Sequence, residues 1–271
     1  LATFLFSISP FHIYYSQEIR MYAEGTFFAS LSMYYFYRSF KKDTAHNFLG
    51  YILSSTALIY THYLGFFLII AQFLYLGFNK RDFLTPFLKR VFFIILLWLP
   101  WFPYFLIQLR SGVDVDNYLP GWRNILSVSF FKVIPLTFFK FSFGRIDFDN
   151  ENLYLFIALL VLSFFGYVLY LGFKTVSNIS SKLIIFWLIL PILIAVLISF
   201  KIPLDQPHRL IFVLPAYYVL LALGIYQSKY KKIFFLSLTI LSIFGLSLYF
   251  MNPKYWREDW EGATKFVTAC Q

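Results

Sequence analysis

Four polar clusters interrupt an otherwise apolar chain of 271 residues. The first is Ser9-Pro10-Phe11-His12-Ile13-Tyr14-Tyr15-Ser16-Gln17-Glu18-Ile19-Arg20-Met21-Tyr22. The second is Tyr60-Thr61-His62-Tyr63, the third Asp205-Gln206-Pro207-His208-Arg209 and the fourth Trp256-Arg257-Glu258-Asp259-Trp260. Each residue type brings its own chemistry. Arg20 and Arg209 hold a permanent charge on a planar fork that grips phosphate through two parallel hydrogen bonds. His62 and His208 titrate near neutrality and serve as donors or proton carriers. Glu18 stands two residues from Arg20, close enough to orient it or to act on an acceptor. Tyr14, Tyr15, Tyr22 and Tyr63 add flat rings and hydroxyls. Ionisable groups at the mouths of apolar helices are costly, which makes them functional candidates by default.

The elements that must position these groups follow from composition. Hydrophobic residues make up 60% and charged residues 13% of the chain, against about 45–50% and about 25% in soluble domains. A soluble chain with so little polar surface could not cover itself, so the expected class is an all-α integral membrane protein. Disorder is excluded, and so is nucleic-acid binding as a main task, despite a net charge of +10. A single cysteine, Cys270, excludes an intrachain disulfide and a cysteine metal site. A helix needs about 20 apolar residues to cross a bilayer core. Met21–Tyr37, Val91–Leu109, Leu153–Phe173, Leu183–Phe200, Leu210–Tyr226 and Ile233–Phe250 meet that need. The run Phe48–Phe78 is 31 residues long, about 46 Å as one helix at 1.5 Å per residue. It overspans the membrane, and the polar Tyr60–Tyr63 stretch predicts a break within two residues of Thr61. Leu1–Ile13 reads as the outer end of a span that begins before Leu1. The chain is therefore expected to be part of a longer protein, with residues 1–250 an N-terminally truncated membrane domain and 251–271 the start of an extracytoplasmic C-terminal domain.

Lys and Arg set the orientation of such helices. Twelve of the 23 lie in four short connections: Arg38, Lys41 and Lys42; Lys80, Arg81, Lys89 and Arg90; Lys174 and Lys182; Lys229, Lys231 and Lys232. With Asp43 and Asp82 these connections carry the whole net charge of +10. Placing them in the cytoplasm gives an alternating path if Phe48–Phe78 is a hairpin and Ile125–Phe143 does not cross. The latter segment contains Lys132, Pro135 and Lys140, and is read as an interfacial or re-entrant helix on the outer face. The four polar clusters then share that face. Asp147, Asp149 and Glu151 have the composition of a divalent-ion site, but a run of acids without converging ligands reads as a solvated loop.

The first cluster resembles the sP-x-x-i-x-y-s-q-e-x-R-x-Y signature of the polytopic C-type glycosyltransferases, the protein O-mannosyltransferase-like and lipid A aminoarabinose transferase-like enzymes. Tyr60-Thr61-His62-Tyr63 resembles their y-T-H-Y, and His208-Arg209-Leu210 with Pro215 resembles their x-R-y-l-x-x-x-x-P helix. Trp256-Arg257-Glu258-Asp259-Trp260 resembles the start of their extracytoplasmic domain. The four motifs occur in order along nearly the whole chain. The resemblance implies a plasma-membrane enzyme that moves a sugar from a polyprenyl-phosphate donor to a lipid, glycan or protein acceptor on the extracytoplasmic face, with no nucleic-acid partner. Negative charge then grows on the leaving phosphate, and cations are needed there. Arg20, Tyr22, His62, Tyr63, His208 and Arg209 are the expected binding residues, and Glu18 a candidate acid. The family's key acidic residue falls in a first outer loop, upstream of Leu1, and is carried onto no residue here. No cofactor is called for beyond an optional divalent cation.

Blander roles compete with these. Arg20 can snorkel to an interface, Glu18 and Arg20 can form a local surface pair, and His62 can cap carbonyls freed at a helix break. His12, Trp256 and Trp260 read as interface residues. The competing function classes are a transporter or flippase for a lipid-linked saccharide and an assembly factor with no chemistry.

Overall fold

The computed structural model describes residues 1–114, 130–176, 179–200, 202, 204, 206–256 and 260–269. All regular structure among them is helical. The helices are α1 (Ala2–Ser7), α2 (Pro10–Ser16), α3 (Tyr22–Lys41), α4 (Ala45–Thr61), α5 (Gly65–Asn79), α6 (Leu84–Trp98), α7 (Phe102–Val113), α8 (Phe130–Phe143), α9 (Glu151–Thr175), α10 (Ile179–Ser199), α11 (Leu214–Gln227), α12 (Lys231–Met251) and α13 (Trp260–Ala269). A 3₁₀ turn, Pro207–Val213, leads into α11. Of the residues read above, Asp205, Arg257, Glu258, Asp259, Cys270, the side chain of Trp260 and the start of Ile125–Phe143 lie outside those described.

Among the described residues, five segments are long and apolar enough to cross a membrane: Arg81–Gly112, Glu151–Thr175, Ser181–Ser199, Pro207–Gln227 and Lys231–Met251. The chain is a membrane protein of helical-bundle architecture. Five of the six expected spans coincide with these segments. The sixth, Met21–Tyr37, forms a helix of 20 residues but is too polar to join them. The reason lies in its packing. Ser32 of α3 hydrogen-bonds Ser55 of α4 at 2.8 Å, and Gln72 of α5 donates to Ser32 at 3.3 Å while accepting from Tyr51 at 2.6 Å. These groups are buried and bind one another, which removes the cost of carrying them inside an apolar bundle. Leu1–Ile13 holds two short helices, parted where Ser9 caps α2 and Pro10 opens it.

The long run breaks where expected. Helix α4 ends at Thr61, His62 is extended, and α5 starts at Gly65. Ring pairs show a hairpin: Phe66 meets Trp98 at 5.0 Å and Phe73 meets Phe87 at 6.4 Å, so α5 runs opposite to α6. Tyr60 donates to the Leu97 carbonyl at 2.9 Å, so α4 runs with α6. Just beyond it Pro100, which has no N–H, ends the regular helix and the chain passes through a 3₁₀ step into α7. On the other side of the bundle α9 and α11 cross at backbone contact. A Cβ on Gly224 would lie 2.0 Å from the Val168 carbonyl oxygen, and one on Gly172 would lie 2.2 Å from that of Leu220.

The contacts sort the connections into two ends. Phe40 meets Phe83, Phe78 meets Phe186 and Gly172 meets Gly224. The four basic connections therefore share one end. At the other end Tyr22 meets His62, Tyr14 meets Tyr249 and Lys254 pairs with Asp149.

Candidate functional site

A cavity of about 490 Å³ opens at the end opposite the basic connections. Its walls come from three stretches of chain. The Ser9 hydroxyl accepts from the His12 N–H and Pro10 has φ preset for a helix, so α2 starts cleanly. Its seven residues place Phe11 and Tyr15 on one face, and the following turn brings Glu18, Arg20 and Tyr22 to the same wall. The second wall is α8 and the loop after it, with Leu136, Lys140, Arg145 and Asp147. The third is Gln206, Pro207 and His208 at the start of the 3₁₀ turn.

Arg145 reaches the cavity through a sharp turn. Gly144 adopts φ +85°, and a Cβ there would sit 2.8 Å from Pro10 Cβ. Only glycine takes that backbone at little cost. The Arg145 guanidinium lies 5.3 Å from the Tyr14 ring centroid and donates to the Tyr14 hydroxyl at 2.7 Å. Lys140 donates to Asp147 at 2.7 Å and to the Ile146 carbonyl at 3.3 Å. Burial pushes its ammonium below the usual lysine range, and Asp147 offsets part of that. Burial also raises the Tyr15 hydroxyl, against the pull of Arg145, so it stays protonated.

His208 is stacked on Tyr15, with centroids 5.5 Å apart, and meets the edge of Tyr22 at 5.4 Å. His62 lies behind Tyr22, 6.5 Å away, and against Phe212 at 5.8 Å. It is 6% exposed. Its Nδ1 accepts from the Leu64 N–H at 3.2 Å, so the neutral ring carries its proton on Nε2, which has no hydrogen-bond partner. Burial first and the charge of Arg209 second push His62 down to about 4. Arg209 is thus electrostatically coupled to His62 and also to His208.

Of the residues singled out from sequence, Glu18, Arg20, Tyr22 and His208 line one cavity. His62 lies behind Tyr22, outside the lining, and Arg209, also outside it, acts on His62 and His208 through its charge. Tyr63 points elsewhere. Its hydroxyl donates to Gln108 at 2.7 Å and accepts from Trp101 at 2.8 Å, which ties the hairpin tip to the α6–α7 bend. His12 is turned to the other face of α2, 4.1 Å from Phe6. Asp147 and Asp149 are paired separately, with Lys140 and Lys254. No cluster of three or more potential metal ligands occurs among the described residues. Arg145 and Lys140 escaped the reading of the motifs. The signal was Gly144, a turn glycine one residue before an arginine in an otherwise acidic stretch.

Chemically, the cavity presents Arg20, Arg145 and Lys140 beside tyrosine rings and the His208 imidazole, with Glu18 and Asp147 as the carboxylates. It can bind an anion by bidentate hydrogen bonds and a sugar ring by stacking. Comparison of the chain with protein-family models, curated proteins and solved structures gives no match.

Proposed function

We propose that the protein is a membrane glycosyltransferase that draws a sugar from a polyprenyl-phosphate donor and passes it to a hydroxyl on the extracytoplasmic face of the plasma membrane. One observation carries the reading: the motif residues Arg20 and His208, from unrelated helix ends, meet Arg145 around a single cavity. The cavity also lies opposite the basic connections, which the positive-inside rule puts in the cytoplasm. Helix α8, with 14 residues, extends about 21 Å at 1.5 Å per residue, which suits an interfacial or re-entrant segment better than a span.

In the reaction an acceptor hydroxyl attacks the anomeric carbon, giving its proton to a carboxylate on the acceptor side, and the bond from that carbon to the phosphate oxygen breaks. The leaving polyprenyl phosphate gains negative charge as it departs. Arg20 and Arg145 stabilise that charge, Tyr15 and His208 flank the sugar, and Glu18 stands on the acceptor side. His62 and Arg209 hold the wall formed by Tyr22. Proteoliposomes holding the protein, a labelled polyprenyl-phosphate sugar and candidate acceptors test this directly. Transfer that falls with Arg20→Ala and with Arg145→Ala supports the reading. Movement of the intact donor between leaflets without bond cleavage would instead identify a flippase. Sidedness is tested separately by impermeant thiol labelling, with Cys270→Ser as background. Ser16→Cys and Tyr230→Cys should label from opposite sides, and labelling of both from one side refutes the orientation.

A further inference from the structure

At the basic end of the bundle, rings from three helices form a continuous floor. Phe40 of α3 lies 6.0 Å from Tyr75 of α5, and Phe186 of α10 lies 5.5 Å from Tyr75 and 6.3 Å from Phe78. Lysines stand around it. Lys80 Nζ is 6.0 Å from the Phe40 centroid and Lys41 Nζ is 5.1 Å from that of Tyr37. Lys182 is exposed one helical turn before Phe186. Of the two acids in these connections, Asp43 is engaged by Arg90. Phe78 is 76% exposed at the edge of the floor.

We infer that this floor, with Lys41, Lys80 and Lys182, is a docking site for an anionic phospholipid of the same leaflet. Its phosphate sits among the three ammonium groups and an acyl chain lies along Phe78. Two features separate this from a plain stretch of positive loops. The ring contacts hold the side chains of Lys41 and Lys80, which would otherwise swing freely, so less order is lost on binding. The exposed Phe78 also sets an apolar ring beside the charged rim at the end of α5, matching a molecule with an anionic head and an apolar tail. Juxtamembrane lysines attract anionic lipid by roughly fivefold in affinity each. The inference is independent of the enzymatic reading, since it uses the opposite end of the molecule.

Native mass spectrometry of the protein in a neutral detergent tests it. The probes are phosphatidylglycerol, phosphatidylcholine with the same acyl chains, and glycerol 3-phosphate. Phosphatidylglycerol should bind at least about tenfold more tightly than phosphatidylcholine. The triple variant Lys41→Ala, Lys80→Ala, Lys182→Ala should lose about 100-fold, as three such contributions compound. Neutralising Lys229, Lys231 and Lys232 to Gln should leave binding within about threefold. Phe78→Ser should weaken the lipid and leave glycerol 3-phosphate unchanged. Equal binding of the two lipids overturns the proposal, as does equal loss in both triple variants. Glycerol 3-phosphate binding as tightly as the lipid would mark a simple anion site and likewise overturn it.

Discussion

Replacing Arg145 by alanine removes a guanidinium that faces the cavity and is fixed there by a hydrogen bond to Tyr14 and by the Tyr14 ring. Because it is held before substrate arrives, it can meet developing charge without reorganising. A preorganised donor of that kind is worth about 10²–10³ in kcat. Arg20 is exposed on another wall of the same cavity and shares the load, so the low end, about 10², is expected. The loss should appear in kcat with KM little changed, because the phosphate gains its extra charge only as the bond breaks. Arg145→Lys should recover about tenfold of it, since a point charge cannot reproduce the fork. Tyr14→Phe keeps the guanidinium and the ring and should cost less than about tenfold. The assay is single-sugar transfer from a labelled polyprenyl-phosphate donor in proteoliposomes. A kcat for Arg145→Ala within threefold of the parent, or full rescue by lysine, refutes the reasoning.

Three other outcomes are expected. His62 is held near 4 in the folded protein against an ordinary 6.5, so below pH 6.5 the unfolded state takes up a proton that the folded state does not. Stability should therefore fall as pH drops from about 6.5 to about 4, by up to roughly 1.4 kcal/mol per unit, and thermal melts of His62→Phe should show a shallower slope. Gly224→Ala would force a methyl to 2.0 Å from the Val168 carbonyl, so the melting temperature should fall by several degrees. Gly166→Ala on α9 meets nothing within 4 Å and should be neutral or stabilising by up to about 1 kcal/mol. If both glycine variants behave alike, the close crossing is wrong. Gln72→Leu removes the acceptor of the buried Tyr51 hydroxyl and the donor to Ser32 and should cost about 1–3 kcal/mol. Adding Tyr51→Phe should return part of that loss, and additive losses in a double-mutant cycle would count against the shared network.

The spans were legible because length and apolarity are local properties, as at Glu151–Thr175 and Lys231–Met251. The break at His62 was legible for the same reason, since 31 residues are too many for one crossing. Side-chain direction was less so. Neighbouring residues at an extended position point opposite ways, which is why His62 turns in behind Tyr22 while Tyr63 turns out to Trp101 and Gln108. What lets helix α3 be more polar than the five apolar segments was not legible locally, because the partners of Ser32 lie 23 and 40 residues away. Arg145 was hidden more deeply. Its place depends on Gly144 meeting Pro10, 134 residues earlier in the chain, and no local pattern records that contact.

The two ends of the bundle show what separates a structural arginine from a candidate ligand-binding one. Arg90 is 2% exposed. It donates to the Pro86 carbonyl and to Asp43, between the rings of Phe48 and Phe83. Its charge is compensated where it lies, and its neighbours leave no opening for a ligand. Arg145 is held as firmly, by Tyr14 on one side and by a turn that only glycine permits, but its guanidinium borders open space beside Arg20 and Lys140. Bringing three cations to one cavity is opposed by their mutual repulsion, and Glu18 and Asp147 offset only part of it. Packing alone gives no reason to hold them together at the end of an apolar bundle. An anionic group entering the cavity would reverse the sign of that interaction, and a phosphate has the oxygens to accept from all three. Under the proposed reaction, a dianionic leaving phosphate gains more from these cations than the monoanionic donor does. That difference is what transfer chemistry requires of the site.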